Sequence, residues 1–225
     1  MAIVLLVRHG RSTANTSGTL AGRLPDIHLD ELGLTQVEAT GARLADLSLA
    51  DVVTSPLERC RETAAAIAGR HGIEPTVDES ITECGYGDWQ GRALKDLAAE
   101  DLWKTVQHHP AAAAFPGGES LAAMQARGVA AIRGHDARIE AEHGAHAVWV
   151  AVSHGDVIKA VLADALGMHL DLFQRLHVDP ASVSIVRYGA RRPDVVAVNT
   201  SAGDLSWLRA PATADDAPVG GGAGR

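Results

Sequence analysis

The chain has 225 residues, of which 46% are hydrophobic, 21% charged and only 4% aromatic, with a formal net charge of −8. That length suits one large domain with a core of Ala, Val, Leu and Ile. The acidic balance argues against the broad basic surface that nucleic acid or an anionic membrane requires, though not against a small basic pocket. In chain order, Ile3-Val4-Leu5-Leu6-Val7 is an apolar strand that stops at Arg8-His9-Gly10. Residues 10–34, punctuated by Gly, Pro and Asp, read as a long loop, and loops of that length in a domain tend to carry function. Thr35 reads as the cap of a helix reaching Leu47, with Val37, Leu44 and Leu47 inward. Asp51-Val52-Val53-Thr54 is a short strand. Ser55 and Pro56 then suit the N-cap and first turn of a helix to Arg70. Val77 and Ile81 flank a loop that carries Glu83. Residues 93–108 read as helical, and His109-Pro110 and Phe115-Pro116-Gly117-Gly118 break the chain. Residues 119–143 form one long helix with Gly128 and Gly134 as weak points. Residues 147–152 are a second apolar strand, which ends at Ser153-His154-Gly155, and a helix over 155–167 follows. Residues 182–186 and 195–198 are further strands. Alternating strands and helices indicate an α/β sandwich.

No Pro/Gly/Ser-rich linker divides the middle, so a single domain is expected over residues 1–209. Residues 210–225, rich in Ala, Pro, Gly and Asp, read as a disordered tail. Its Gly220-Gly221-Gly222 run has neither Lys-Ser/Thr nor a preceding strand, so it is not a P-loop. Cys60 and Cys84, the two cysteines, suggest neither a zinc site nor a disulfide framework and fit a reducing, cytoplasmic setting. The N-terminal apolar residues meet Arg8 too soon for a signal peptide. No apolar run approaches the ~20 residues of a membrane span.

The two strands that end in His-Gly carry the functional signal. Continuous apolar strands are buried on both faces in parallel sheets, and ligands sit beyond the carboxyl ends of such strands. His9 and His154 should therefore meet in one crevice. A neutral imidazole is a competent nucleophile toward phosphorus. Arg8 offers a planar fork for phosphate oxygens, and Gly10 would allow close backbone approach to a ligand. A buried strand-end histidine beside a surface arginine is an equal reading of that tripeptide alone. Arg59, about one turn into its helix, can add charge to an anion held at the helix start, whereas Arg61 points elsewhere and reads as solvated. Glu83 sits among glycines and aromatics in Thr82-Glu83-Cys84-Gly85-Tyr86-Gly87-Asp88-Trp89, where burial would let a carboxyl donate a proton. Asp88 has a similar claim on spacing alone. His154 and Gly155 open a helix where an imidazole N–H would hold a phosphoryl oxygen, and Asp156 reads as that helix's cap. Of the other histidines, only His177 is placed to line a pocket.

These pieces resemble the histidine phosphatase superfamily, in its phosphoglycerate-mutase-like branch. The matching motifs are Leu6-Val7-Arg8-His9-Gly10 with Asn15, Ser55-Pro56-Leu57-x-Arg59-Cys60-x-x-Thr63-Ala64, Glu83-x-x-x-Gly87-x-Trp89-x-Gly91, Pro116-Gly117-Gly118-Glu119-Ser120 and Val152-Ser153-His154-Gly155. They follow the family's order over roughly residues 3–200. The resemblance implies a three-layer α/β/α sandwich with a mostly parallel central sheet. It implies that His9 is the nucleophile and forms a phosphohistidine. Arg8, Arg59 and His154 would hold the phosphoryl oxygens, with Asn15, Gly22 and Gly155 adding contacts. Glu83, rather than Asp88, would give the leaving group its proton and then activate water. No metal or other cofactor is implied; the partner expected is a small phosphomonoester, and a homodimer is expected only by analogy.

The chain also departs from the family's mutases. Arg11 stands where they carry Glu, Cys84 where they carry Arg, and residues 92–118 hold only Arg92, Lys95 and Lys104 as cations. These departures favour a phosphatase over a phosphoglycerate-type mutase, with a non-catalytic phosphate-binding relative as a third reading. Leu97, Leu102, Trp103 and Phe115 could cap the pocket or be ordinary core.

Overall fold

A computed structural model of the chain describes residues 2–189, 191–201 and 219–222. Its strands are β1 (Ile3–Arg8), β2 (Leu49–Thr54), β3 (Thr76–Val77), β4 (Val148–Ser153), β5 (Val183–Tyr188) and β6 (Pro193–Thr200). They form one sheet in the order β3-β2-β4-β1-β5-β6. The pairs β1–β4, β2–β4 and β2–β3 are parallel, while β5 and β6 add an antiparallel hairpin beside β1.

Side chains alternate along β1 and both faces are covered. Val4 and Leu6 pack with Trp149, Ala151 and Val53 against Ile132, Ile139, Ile158 and Leu162. Leu5 and Val7 pack with Val52, Val150 and Val152 against Cys60, Ala64 and Ile67. This two-sided burial explains the unbroken apolar run. The helices are α1 (Thr13–Ser17), α2 (Glu31–Leu44), α3 (Glu58–Ala68), α4 (Leu94–Leu97), α5 (Asp101–His108), α6 (Leu121–His143) and α7 (Gly155–Ala165). α2 and α3 cover one face of the sheet and α6 and α7 the other, so the three-layer α/β/α sandwich with a mostly parallel sheet holds.

Several boundaries differ from the sequence expectation, each for a local reason. The 10–34 segment holds α1, where Asn15 Oδ1 accepts from the Ser12 backbone N–H at 3.0 Å in a reciprocal capping box. α2 starts before Thr35 because Asp30 Oδ1 accepts from Gly33 N–H at 2.7 Å; Thr35 lies inside it and donates to the Glu31 carbonyl. α3 begins only at Glu58, with Leu57 as an N-cap that makes no side-chain bond, so Ser55 and Pro56 precede the helix. The expected 93–108 helix divides into α4 and α5. α6 runs unbroken through both glycines, capped by Ser120 Oγ on Ala123 N–H at 3.1 Å. Gly128 serves contact with α7: a Cβ there would stand 3.2 Å from Val157 Cγ1.

Leu97, Trp103 and Phe115 are buried with Leu121, Met124 and Phe173, and Leu102 packs against them. That cluster also contains Leu20, Tyr86 and Val219, so these residues are core that backs the pocket. Of the stretch 210–225 expected to be disordered, residues 219–222 are described and lie against the site, with Val219 buried; the remainder lies outside the described residues. Among the described residues no helix is long and apolar enough to cross a membrane.

Candidate active site

Sheet register brings the two His-Gly endings together. Arg8 of β1 pairs with Ser153 of β4, and His9 N–H donates to the Ser153 carbonyl at 3.0 Å. Both strands therefore end level, and the imidazole centroids of His9 and His154 lie 5.3 Å apart. β2 flanks β4 on the other side, with Ser55 N–H donating to the Val152 carbonyl at 3.0 Å, so α3 starts beside the same crevice and delivers Arg59.

The histidine tautomers follow from their neighbours. A carbonyl only accepts, so the 2.7 Å contact between His9 Nδ1 and the Gly10 carbonyl puts the proton on Nδ1. His9 Nε2 then carries the lone pair, and Arg59 Nε donates to it at 3.3 Å. Burial and the charges of Arg59 and Arg8 push the His9 pKa well below its ordinary value, so the ring is neutral. Gly10 is needed for a reason other than ligand approach: a Cβ there would meet Val37 Cγ1 at 2.7 Å and the Gly33 carbonyl at 2.8 Å. At His154, Arg59 Nη2 donates to Nδ1 at 3.2 Å, which places that ring's proton on Nε2, 2.8 Å from Ser55 Oγ. Its pKa is also depressed, chiefly by burial and then by Arg59. An anion would favour a proton on Nδ1, turning it into a donor.

Both arginines are buried and only partly satisfied. Arg8 donates from Nη1 to the Val178 carbonyl at 2.8 Å and from Nη2 to the Gly222 carbonyl at 2.5 Å, while its Nε has no partner among the described residues. Burial lowers its pKa to about 10, which leaves it a cation at neutral pH. Arg59 also holds the Gly22 carbonyl at 2.8 Å, and its Nη1 has no partner among the described residues. Buried cationic donors left over in this way mark a place where an anion's oxygens fit.

Glu83 is 2% exposed and accepts Cys84 N–H at 2.9 Å. Burial first, and then Asp156, raise its pKa to about 7, against the pull of Arg59 and Arg8. Its rival Asp88 is exposed. The Glu83 backbone is clamped: its carbonyl accepts from Arg23 Nε at 2.8 Å and Arg127 Nη2 at 3.0 Å. Arg127 also holds the Thr82 carbonyl, and Glu119 ties Arg23, Arg127 and Gly85 N–H together. Asp156 is not the α7 cap, a position taken by His154; it is buried and accepts from Tyr86 OH at 2.8 Å.

A cavity of about 60 Å³ is lined by His9, Arg59, Glu83, Asn15 and Gly22, all expected, and by Ser12, Tyr86, Leu20 and Leu94. Asn15 faces it while its Oδ1 is engaged in the Ser12 cap. Gly155 is buried as the first residue of α7, and Arg61 is exposed. His177 pairs with Asp179 at 2.9 Å and does not line the cavity. Tyr86 is one of the aromatics that the sequence sets around Glu83, whereas Ser12 and the Arg23–Glu119–Arg127 clamp have no role in the sequence reading. Arg23 and Arg127 look like ordinary surface arginines there, although Glu119 lies inside a quoted motif.

With this geometry in hand, the comparisons with known proteins are direct. The family model of the histidine phosphatase superfamily (branch 1) matches residues 4–201. The chain belongs to that superfamily. It is 31% identical over 202 residues to phosphoserine phosphatase 1 of Hydrogenobacter thermophilus, covering 88% of this chain and 92% of that protein. It is 30% identical to the probable phosphoglycerate mutase GpmB of Yersinia pestis, over 94% and 97% of the two chains. The structure of mycobacterial glucosyl-3-phosphoglycerate phosphatase Rv2419c with VO3 superposes with a TM-score of 0.79 at 26% identity, covering 88% of this chain and 99% of that one. As a member of the histidine phosphatase superfamily, the chain carries its two buried histidines and two buried arginines at the carboxyl ends of the parallel strands.

Proposed function

We propose that this protein is a metal-independent phosphatase that hydrolyses small phosphomonoesters through a phosphohistidine on His9. The observation that carries the reading is the fixed tautomer of His9, which leaves the lone pair on Nε2, beside Arg59, in a cavity that both residues line. His9 Nε2 attacks phosphorus, the bond to the ester oxygen breaks, and Glu83 gives that oxygen its proton. Arg8, Arg59 and His154 stabilise the oxygens of the transferring group, which is most of what phosphoryl transfer asks of a protein. The Glu83 carboxylate then takes a proton from water as the water oxygen attacks phosphorus and the P–N bond breaks. Phosphate leaves, and His9 and Glu83 return to their starting states.

Hydrolysis is favoured over transfer back to substrate because cations that could bind a second anionic group are engaged elsewhere. Arg11 pairs with Asp30 at 2.7 Å, Arg92 with Glu100 at 2.6 Å, and Lys104 with Asp101 at 3.7 Å. None of these lines the cavity, so a second anionic group on a substrate finds no dedicated partner from them. The test is phosphate release from para-nitrophenyl phosphate, phosphoserine and 3-phosphoglycerate, with EDTA present, by wild type and His9→Ala. Release by wild type alone supports the reading. Isomerisation of 3-phosphoglycerate that depends on a bisphosphorylated primer would replace it with the mutase, and no turnover with tight phosphate binding would replace it with a binding protein.

A further inference from the structure

The last described residues, 219–222, sit in the site itself. The Gly222 carbonyl accepts from Arg8 Nη2 at 2.5 Å. Gly220 N–H donates to Asp156 Oδ2 at 3.1 Å, and Val219 is buried in the cluster that holds Leu20 and Tyr86. Val219, Gly220 and Gly222 line the same cavity as His9, Arg59 and Glu83. The anchor for this segment is prebuilt. Asp156 is fully buried, accepts from Tyr86 OH, and pairs with Lys159, whose ammonium lies 3.3 Å from Oδ1. Lys159 is in turn held by Gln174 Oε1 at 2.5 Å and by the face of Phe173, 4.6 Å from the ring centroid. None of Asp156, Lys159 and Gln174 lines the cavity, and Asp156 reaches the chemistry only through its charge on Glu83. Gly220 has φ +70, and a Cβ there would stand 3.0 Å from Leu20 Cδ1, so a larger residue is strained in this seat.

The contact with Arg8 has a chemical consequence. The Nε and Nη2 groups of a guanidinium share the edge that grips two oxygens of one phosphate. On Arg8, Nε is unpartnered and Nη2 is taken by Gly222. The cavity that remains is about 60 Å³. Residues 219, 220 and 222 form part of its wall, so an ester larger than phosphate meets the segment there.

We propose that residues 219–222 are an internal competitor for the phosphoryl site: substrate takes Arg8 Nη2 from the Gly222 carbonyl and displaces the segment, which thereby restricts the leaving groups that enter. The proposal rests on the reading of Arg8 as a phosphoryl ligand. Its test uses inorganic phosphate as the probe. Calorimetry gives the phosphate Kd for the full chain, for a chain ending at Pro218 and for Gly220→Val, and hydrogen exchange follows residues 219–222 in the full chain. Binding should tighten about tenfold in both variants if the displaced state is about a tenth of the population, and saturating phosphate should abolish exchange protection at 219–222. Equal or weaker binding in the variants, or protection that survives phosphate, overturns the competitor and leaves the site reading standing. Failure of phosphate to bind any of the three proteins overturns the site reading and the competitor with it.

Discussion

At the scale of single residues, the account depends on two protons: the one His9 lacks at Nε2 and the one Glu83 keeps. His9 is held below its ordinary pKa by burial and two arginines, so its lone pair is available throughout the neutral range. Glu83 is raised to about 7, chiefly by burial, so it is protonated below that pH and a carboxylate above it. The pH profile of kcat/KM for an alkyl phosphate should therefore fall as pH rises through about 7. It should show no acid limb from His9 until well below the ordinary histidine value. Glu83→Gln should remove the alkaline limb and lower the rate by about 10²- to 10⁴-fold. Its loss should be smaller on para-nitrophenyl phosphate, whose leaving group needs little help from an acid. Initial rates for the two esters across pH check both statements; a profile that stays flat through pH 7 would remove Glu83 from its role.

At the scale of elements, the strands were the legible part. The apolar runs before His9 and His154 could be read because burial on both faces leaves an unbroken hydrophobic string. Helix starts were less legible, since they turn on single hydrogen bonds: Asp30 rather than Thr35 begins α2, and Ser55 faces His154 instead of capping α3. The clamp on Glu83 was invisible because it joins residues far apart in the chain. Arg23 from the first loop and Arg127 from α6 reach the same carbonyl, and nothing local in either segment announces it. Gly118 shows how tight that junction is, since a Cβ there would stand 2.1 Å from the Gly85 carbonyl. Arg127→Ala should lower kcat by about 10- to 100-fold by letting the Glu83 loop drift. KM should change little, and Lys at this position should restore only part of the rate because it cannot span the Thr82 and Glu83 carbonyls and Glu119 together. Steady-state kinetics beside a thermal melt separates this from general unfolding; a melt shifted in proportion to the lost rate would mean that Arg127 is merely structural.

At the scale of the whole molecule, a chain of net charge −8 concentrates buried positive charge at one point, the carboxyl ends of β1, β4 and β2. The sheet order explains why residues 9, 59 and 154, scattered along the sequence, converge there. Composition indicates the class of the core but carries no signal for the seating of residues 219–222, because a Gly-rich stretch looks the same whether or not Asp156 and Arg8 hold it. The central claim is a covalent bond between phosphorus and His9 Nε2. It is tested most directly by acid-quench avoidance, an alkaline quench of Glu83→Gln turning over para-nitrophenyl phosphate, followed by peptide mass spectrometry. One phosphoryl group is expected on the His9 peptide, accumulating because the base for the second step is gone, and none in the His9→Ala protein. Turnover by wild type with no phosphoryl-enzyme, or with the group on another residue, would contradict it.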